Sequence, residues 1–178
     1  LAQQLYEGIP IKGHGTIGLI TYLRTDSVRI SEEAKESARE YISEHYGEEY
    51  LIQEENKKTE KKKIQDAHEA IRPTYVDLSP VKIKEELPRD LFRLYQLIWK
   101  RFVASRMQAA KFETTSVKLL AGKHRFGVSA SAVKFDGFRS VYVEADEEKE
   151  ENNVLVKKIT KDTVLSLEEL EPKQHFTQ

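Results

Sequence analysis

The spacing of hydrophobic residues changes near residue 110, and this change most constrains the fold. Residues 88–103 place apolar side chains every three or four positions, which marks one face of a helix. Beyond residue 110 apolar and polar residues alternate, as in 115–119, and Gly122-Lys123 supplies a turn. Both periods in one chain predict an α+β protein, with a mainly helical domain at 1–109 and an antiparallel β domain at 110–178.

The first domain carries further signals of helix, strand and loop. The Ser31 hydroxyl is suited to cap a helix with an acidic first turn, and Gly47 is suited to end it. The face that this helix is predicted to bury comprises Ala34, Ala38, Tyr41, Ile42 and His45. Residues 18–24 are typical of a short strand, and Pro73 should end a short helix. Residues 9–16 and 48–65 predict loops.

The second domain is expected to continue as short strands. Asp136-Gly137 is a typical hairpin turn. Residues 141–143, 154–159 and 165–167 predict three more strands. The acidic residues between 144 and 151 follow one another without ligand spacing, which favours an exposed loop over a metal site.

Charge is unevenly distributed along the chain, whose net charge is −1. Residues 89–111 carry a net +5, residues 57–63 a net +4 and residues 144–151 a net −5. Basic patches attract phosphates even when the total charge is near zero, although a solvated surface explains such runs equally well. We favour the solvated reading for 57–63.

Other features of the composition limit the class of protein. The absence of cysteine excludes disulfides and thiolate metal sites. No apolar run approaches the roughly 20 residues of a membrane span, and no signal peptide opens the sequence. We therefore expect a cytoplasmic protein without membrane contact. Because the chain starts at Leu1 inside a predicted helix, we expect a piece of a longer polypeptide.

The segment with the clearest chemistry is residues 18–27, which read GLITYLRTDS. In an extended chain, Tyr22 and Arg24 project to the same side, about 7 Å apart. A tyrosine phenol has a reference pKa of about 10, so as a nucleophile it needs assistance near neutral pH. A guanidinium can pair two phosphate oxygens and stabilise charge that develops in the transition state. The pair is suited to attack on a phosphodiester.

Three segments resemble, in order, the motifs of type IA DNA topoisomerases. Residues 2–7 (AQQLYE) resemble the helix that precedes the active-site tyrosine, 18–27 the tyrosine segment and 66–74 (DAHEAIRPT) the His-Glu-Ala-Ile-Arg-Pro signature. Leu23 stands where the topoisomerase III branch typically has proline, which favours the bacterial topoisomerase I branch. The resemblance implies a winged-helix-like catalytic domain, followed by an antiparallel β segment of the enzyme's gate or arch.

The resemblance also implies roles for individual residues. Tyr22 would attack DNA and hold the broken strand as a 5′-phosphotyrosine, while Arg24 would bind the phosphate. His68 would donate a hydrogen bond to the scissile or neighbouring phosphate. Arg72 is open between a phosphate contact and an ion pair with Glu69 or another nearby acid.

The upstream helix carries two further candidate residues. Gln3 and Glu7 match polar residues that approach the active centre in the family. Here an insertion of about eight residues, around 9–17, separates them from the tyrosine segment.

Cofactor and partners follow from the same resemblance. In the full enzyme a separate acidic domain binds Mg²⁺, and we find no spaced acidic triplet of that kind in this sequence, so no metal site is expected here. The expected partners are single-stranded DNA and the remainder of the same polypeptide, in the bacterial nucleoid. The expected activity is ATP-independent relaxation of negative supercoils, slow or absent in the isolated chain. Exposed β edges would also allow a dimer in a crystal.

Two other classes remain as alternatives. A tyrosine recombinase-like enzyme also uses tyrosine, histidine and arginine, but its tyrosine comes last in the chain, whereas Tyr22 comes first. A non-catalytic winged-helix DNA-binding module with a β-rich interaction half explains the helices, basic patches and sheet. It does not explain three motifs in family order.

Overall fold

The protein forms two compact units in the computed structural model, which describes residues 1–52, 68–143, 159–161, 163–172 and 174. The first unit comprises Leu1–Phe112 with Val133–Glu148, and the second Glu113–Ala132 with Lys149–Gln178. Residues 53–65 of the loop predicted at 48–65 and the loop predicted at 144–151 lie outside the described residues, as do residues 154–158 of a predicted strand. The described start of the first loop contains a short 3₁₀ helix, Glu48–Tyr50. The predicted boundary between a catalytic and a β domain at 109/110 remains a prediction.

Helices and two antiparallel hairpins, one short and one long, make up the regular structure of the described residues. The helices are α1 (Ala2–Glu7), α2 (Glu32–His45), α3 (Pro80–Ile83) and α4 (Arg89–Ser105). The strands are β1 (Ile9–Ile11), β2 (Gly15–Ile17), β3 (Lys111–Ala121) and β4 (His124–Phe135). β1 pairs with β2 and β3 with β4, each as a two-stranded sheet. The predicted α+β class with antiparallel strands is confirmed, while the winged-helix arrangement stays a prediction. None of the helices that the structure describes has the length and apolar character of a membrane span.

Helix α2 begins where its sequence predicts. The Ser31 hydroxyl accepts a hydrogen bond from the Ala34 amide at 3.3 Å, and Glu32 and Glu33 occupy the first turn. Its buried side chains are Ala34, Ala38 and Ile42. The prediction that His45 is buried is wrong. Its exposed ring stacks on Tyr41, with ring centroids 4.0 Å apart, and its Nδ1 lies 3.0 Å from the Tyr41 carbonyl oxygen, so the polar ring stays at the surface.

Helix α4 contributes the most to the core of the first unit. Its predicted apolar face is buried at Leu91, Tyr95, Trp99, Phe102 and Val103. Two polar atoms inside this face are satisfied by backbone carbonyls that precede α3. The Tyr95 hydroxyl donates to the Leu78 carbonyl at 2.7 Å, and Trp99 Nε1 donates to the Val76 carbonyl at 2.9 Å. These bonds fix residues 76–78 to α4.

Replacing Tyr95 with phenylalanine should destabilise the first unit. The substitution leaves the Leu78 carbonyl without its donor in a buried site, which costs about 1–3 kcal/mol. Urea denaturation followed by tryptophan fluorescence measures this loss. Tyr75→Phe is the control, because Tyr75 is 46% exposed, and we expect a change within about 0.5 kcal/mol. Equal effects of the two substitutions would contradict the assignment.

Residues 9–16, which the sequence predicts as a loop, form most of a hairpin instead. Ile9 pairs with Ile17, and Ile11 with Gly15, across β1 and β2. The alternation of Ile9 and Ile11 places both side chains in the core, and Pro10 between them is exposed. Burial of two isoleucines on one face outweighs the loop signal of proline and glycine.

The β region departs from expectation after β4. The predicted alternation in β3 is confirmed, since Thr115, Val117 and Leu119 are the half-buried positions. However, the hairpin turn predicted at Asp136-Gly137 is wrong. Gly137–Ser140 is a short 3₁₀ helix, and the Phe138 amide donates to the Gln108 carbonyl at 2.9 Å. The backbone therefore returns to the end of α4 instead of pairing with β4.

The strands predicted after that turn are also absent from the described residues. Residues 141–143, 159 and 165–167 have no strand structure. Val141 instead packs into the core of the first unit, whereas Leu165 and Leu167 are exposed. Alternation in the sequence is insufficient for a strand when no neighbouring strand supplies the backbone partners.

Candidate active site

Two chain segments lie side by side in the first unit, residues 19–31 and 68–74. Ile20 and Pro73 form an isolated antiparallel bridge. On either side of it, the Thr21 amide donates to the Arg72 carbonyl at 2.9 Å and the Thr74 amide donates to the Leu19 carbonyl at 3.0 Å. Both local predictions are therefore wrong. The tyrosine segment has one bridge rather than a regular strand, and the segment ending at Pro73 is extended rather than helical.

Side chains add further hydrogen bonds between the segments. Thr21 Oγ1 donates to the Ala70 carbonyl at 2.8 Å and accepts from the Arg72 amide at 3.0 Å. The buried hydroxyl of Ser27 donates to the His68 carbonyl at 2.8 Å. The Ala70 amide in turn donates to the Arg29 carbonyl at 2.8 Å. Backbone groups of His68, Ala70, Arg72 and Thr74 thus bond to residues 19–29 instead of to a helical turn of their own.

This arrangement turns Tyr22 and Arg24 outward on the same side. Thr21 and Leu23 are half-buried, whereas Tyr22 and Arg24 are exposed, in the alternation that the sequence predicts. The Tyr22 ring stacks on the His68 ring with centroids 6.0 Å apart. Arg24 Nη1 lies 3.5 Å from His68 Nε2, which accepts a hydrogen bond when it is unprotonated. The structure therefore brings together three predicted site residues from two motifs 44 positions apart.

The Tyr22 ring has a second aromatic neighbour. Tyr6 of α1 contacts it edge-on, with centroids 5.4 Å apart and an interplanar angle of 67°. Tyr22 nevertheless remains 53% exposed, so its hydroxyl is open to a large substrate. The sequence analysis included Tyr6 in a motif without giving it a role. Its aromatic side chain was the only feature of the sequence that suggested a contact with the Tyr22 ring.

Arg24 also forms an ion pair that sequence reasoning did not anticipate. Its Nε lies 2.9 Å from Asp26 Oδ2. The signal was the two-residue spacing, since in an extended segment positions 24 and 26 face the same side, as positions 22 and 24 do.

Arg72 faces away from this surface and belongs to a local network. Its Nη2 lies 2.8 Å from Glu69 Oε2, and its Nη1 donates to the Pro73 carbonyl at 3.0 Å. The side chain is only 13% exposed. Glu69 also accepts a hydrogen bond from the Ser31 amide at the start of α2. The sequence left open a phosphate contact or an ion pair for Arg72, and the structure shows the ion pair with Glu69.

The network shifts the ionisation of Glu69. Burial raises the pKa of the Glu69 carboxyl, but hydrogen bonds from Ser31 and the interaction with Arg72 outweigh it, so the pKa lies below its usual value. A carboxyl whose pKa is lower in the folded than in the unfolded protein stabilises the fold above its unfolded pKa, about 4.3. This contribution is lost as pH falls through the lower, folded value.

Glu69→Gln should therefore have a pH-dependent effect on stability. At pH 7 we expect a loss of about 1.5–3 kcal/mol, the range for a hydrogen bond to a charged group. The difference in unfolding free energy from the unchanged protein should shrink below pH 4.3. It should approach a constant once the Glu69 carboxyl is protonated in both the folded and the unfolded protein. Thermal unfolding between pH 3 and 8 measures it. A difference that grows on acidification would refute the assigned ionisation.

Helix α1 is joined to the tyrosine segment despite the inserted hairpin. The Leu19 amide donates to the Leu5 carbonyl at 2.7 Å. A Cβ on Gly18 would meet the Tyr6 carbonyl oxygen at 2.5 Å, so only glycine allows this approach. The hairpin β1–β2 leaves and returns at the same place, which explains how an insertion keeps α1 beside the site.

Gln3 and Glu7 lie on α1 but do not contact the other candidates. Gln3 Nε2 donates to Glu7 Oε1 at 2.6 Å, and both side chains are exposed. Within the part of the chain that the structure describes, no hydrogen bond joins either of them to Tyr22, Arg24 or His68.

No metal centre is found within the described ranges. They contain no group of three or more His, Asp or Glu side chains that could hold a metal ion. Mg²⁺ prefers several oxygen ligands, carboxylates above all. The residues described here do not fit a magnesium site, so no catalytic step is assigned to a metal held by them.

An exposed tyrosine beside an arginine and a histidine, on a helical unit followed by an antiparallel hairpin, is an arrangement suited to covalent chemistry on a phosphodiester. The family model described as DNA topoisomerase matches residues 1–178. Full-length topoisomerase I from Thermotoga maritima matches with 44% sequence identity and a TM-score of 0.68 over 80% of this chain. The chain belongs to the bacterial type IA DNA topoisomerases. It spans 22% of the length of the Thermotoga protein.

Proposed function

We propose that this chain provides the nucleophile with which a type IA topoisomerase transiently breaks one strand of DNA. The observation that supports it best is the contact of Tyr22, Arg24 and His68 on one exposed surface. Tyr22 releases its hydroxyl proton to solvent as Oη attacks a backbone phosphorus. An O–P bond to tyrosine forms, and the P–O bond to the 3′ oxygen of the neighbouring deoxyribose breaks. The reverse attack reseals the strand. Because the phosphotyrosine preserves the bond energy, the cycle needs no ATP.

Each charged group has a role suited to its position. Arg24 binds the scissile phosphate and offsets the charge that grows on its oxygens. His68, stacked on Tyr22, donates a hydrogen bond to the same or a neighbouring phosphate when protonated. Arg72 holds the 68–74 segment in place through Glu69, and any phosphate contact by it would require that pair to open.

Gln3 and Glu7 are proposed to approach the DNA from α1. Their mutual hydrogen bond orients both side chains, and the close packing of Gly18 against α1 keeps the helix beside Tyr22. Their contact with the substrate would form only when DNA is bound.

The rest of the reaction is assigned to the longer polypeptide. We propose that its acidic domain binds Mg²⁺ and protonates the leaving oxygen, and that the β segment moves the catalytic unit as part of a gate. The proposed substrate is single-stranded DNA. The proposed outcome is relaxation of negative supercoils in the bacterial nucleoid. The chain alone should cleave slowly or not at all.

Trapping with detergent tests the proposal. The chain is mixed with end-labelled single-stranded DNA and Mg²⁺, alone and with the acidic domain added, and then denatured rapidly. We expect labelled protein in the complete mixture, with the DNA attached through its 5′-phosphate to the peptide containing Tyr22. DNA binding without any adduct in the complete mixture would instead support a non-catalytic DNA-binding module.

A further inference from the structure

The guanidinium proposed to bind the scissile phosphate already has an anionic partner. Arg24 Nε lies 2.9 Å from Asp26 Oδ2, and Arg24 Nη1 faces His68 Nε2 at 3.5 Å. Of the carboxylates that the structure describes, Asp26 is the one that contacts Arg24. Glu69, the carboxylate of the facing segment, is occupied by Arg72 and Ser31. Asp26 is therefore the carboxylate that neutralises Arg24 next to Tyr22 and His68.

The geometry of this pair suits exchange. A carboxylate presents two oxygens to a guanidinium, as a phosphate does. The Arg24 and Asp26 side chains are 55% and 49% exposed, and ion pairs at this exposure contribute little to stability. A DNA phosphate can thus displace Asp26 from Arg24 without unfolding any part of the site.

We propose that Asp26 is a placeholder for the scissile phosphate. Without DNA, it holds Arg24 on the Tyr22–His68 side of the segment. When DNA arrives, Arg24 transfers from the carboxylate to the phosphate. Asp26 is thus a positioning residue whose charge also opposes binding, because an anion next to Arg24 repels the incoming phosphate. The identity of the anion as a DNA phosphate rests on the proposed function.

The first test compares DNA affinities. Asp26→Asn keeps the shape of the side chain and removes its charge. We expect the affinity for a fluorescent single-stranded oligonucleotide at about 50 mM salt to rise by about three- to tenfold, the effect of removing one like charge at 5–7 Å. The advantage should diminish as salt is raised.

Glu32→Gln provides the matched control. It also removes one negative charge and breaks one ion pair on α2, to Lys35 at 2.8 Å. Among the described residues, Glu32 forms no hydrogen bond or ion pair with Tyr22, Arg24 or His68. Its effect on affinity should stay below about twofold. If Asp26→Asn binds DNA no more tightly than the unchanged chain, or if Glu32→Gln matches it, the placeholder is refuted.

The second test observes Arg24 directly, without DNA cleavage. In a ¹⁵N spectrum of arginine side chains, Arg24→Lys identifies the Arg24 Nε–H signal. Asp26→Asn should shift this signal and speed its exchange with water by at least about threefold, since the acceptor loses its charge. Adding the oligonucleotide to the unchanged chain should move the signal to a new position. If Asp26→Asn leaves both the position and the water exchange of the Arg24 Nε–H signal unchanged, the proposal is overturned.

The affinity and spectral tests can succeed or fail independently of the trapping assay that tests the proposed function. The trapping assay depends on Tyr22, whereas the affinity and the spectrum depend on Arg24 and Asp26. Absence of a Tyr22 adduct together with tighter binding by Asp26→Asn would reject transesterification and retain the placeholder. An adduct together with unchanged binding by Asp26→Asn would do the reverse.

Discussion

Tyr22→Phe is expected to abolish covalent capture of DNA by any polypeptide that contains this chain and the acidic domain. The substitution removes the only atom that the proposed reaction uses as its nucleophile. Removing a catalytic nucleophile typically costs about 10⁴- to 10⁶-fold in rate, so the adduct should fall below detection. The phenyl ring retains its contacts with Tyr6 and His68. Binding of single-stranded DNA should therefore remain within about twofold of the original.

Tyr75→Phe is the matched control for this experiment. Tyr75 is comparably exposed, at 46% against 53% for Tyr22, and follows the other segment of the site. We expect full adduct formation from this variant. An adduct of normal yield with Tyr22→Phe would show that another residue attacks the DNA.

Gly18→Ala is expected to destabilise the first unit and to disturb the candidate site as well. Its Cβ would lie 2.5 Å from the Tyr6 carbonyl oxygen, a backbone atom that cannot turn aside. Overpacking of this kind costs about 1–3 kcal/mol, which corresponds to a fall in Tm of several degrees. Relief of the clash requires α1 to move and carries Tyr6 away from Tyr22. A shift of about 1 Å near a reacting group can cost about 100-fold in rate.

Gly127→Ala separates this effect from the general cost of replacing glycine. Gly127 lies in β4, and a Cβ there would meet nothing within 4 Å. Calorimetry should place its Tm within about 2 °C of the unchanged chain, and trapping should give a normal adduct. If Gly18→Ala unfolds at the same temperature as Gly127→Ala, then α1 is not held against the tyrosine segment as described.

Elements with strong local signals could be predicted from the sequence. The apolar face of α4 and the cap of α2 at Ser31 depend on residues within one or two turns, so their patterns are complete in the sequence. The β3–β4 hairpin is similar, because Gly122 and the flanking alternation specify it locally. The motifs also indicated Tyr22, Arg24 and His68, since the outward alternation of 22 and 24 requires only an extended chain.

Elements without a local partner could not be predicted. Residues 68–73 look helical in isolation, but their backbone groups bond to Thr21, Ser27 and Arg29 of a distant segment. The alternation around Val141 suggests a strand, but burial in the core of the first unit determines its position.

The sequence by itself determined the class of fold and the family, and it predicted Tyr22 as the candidate nucleophile, because periodicity and motif order are properties of the linear chain. Only the tertiary structure decided how the parts of the site meet. It brought the Tyr22 ring into contact with both Tyr6 and His68. It also paired Arg72 with Glu69 and Arg24 with Asp26. The physical reason is that each polar or charged group bonds to a partner that folding brings within reach. Short spacings indicate a few of these partners, such as Asp26 for Arg24 and Glu69 for Arg72, but the sequence alone does not decide among the alternatives.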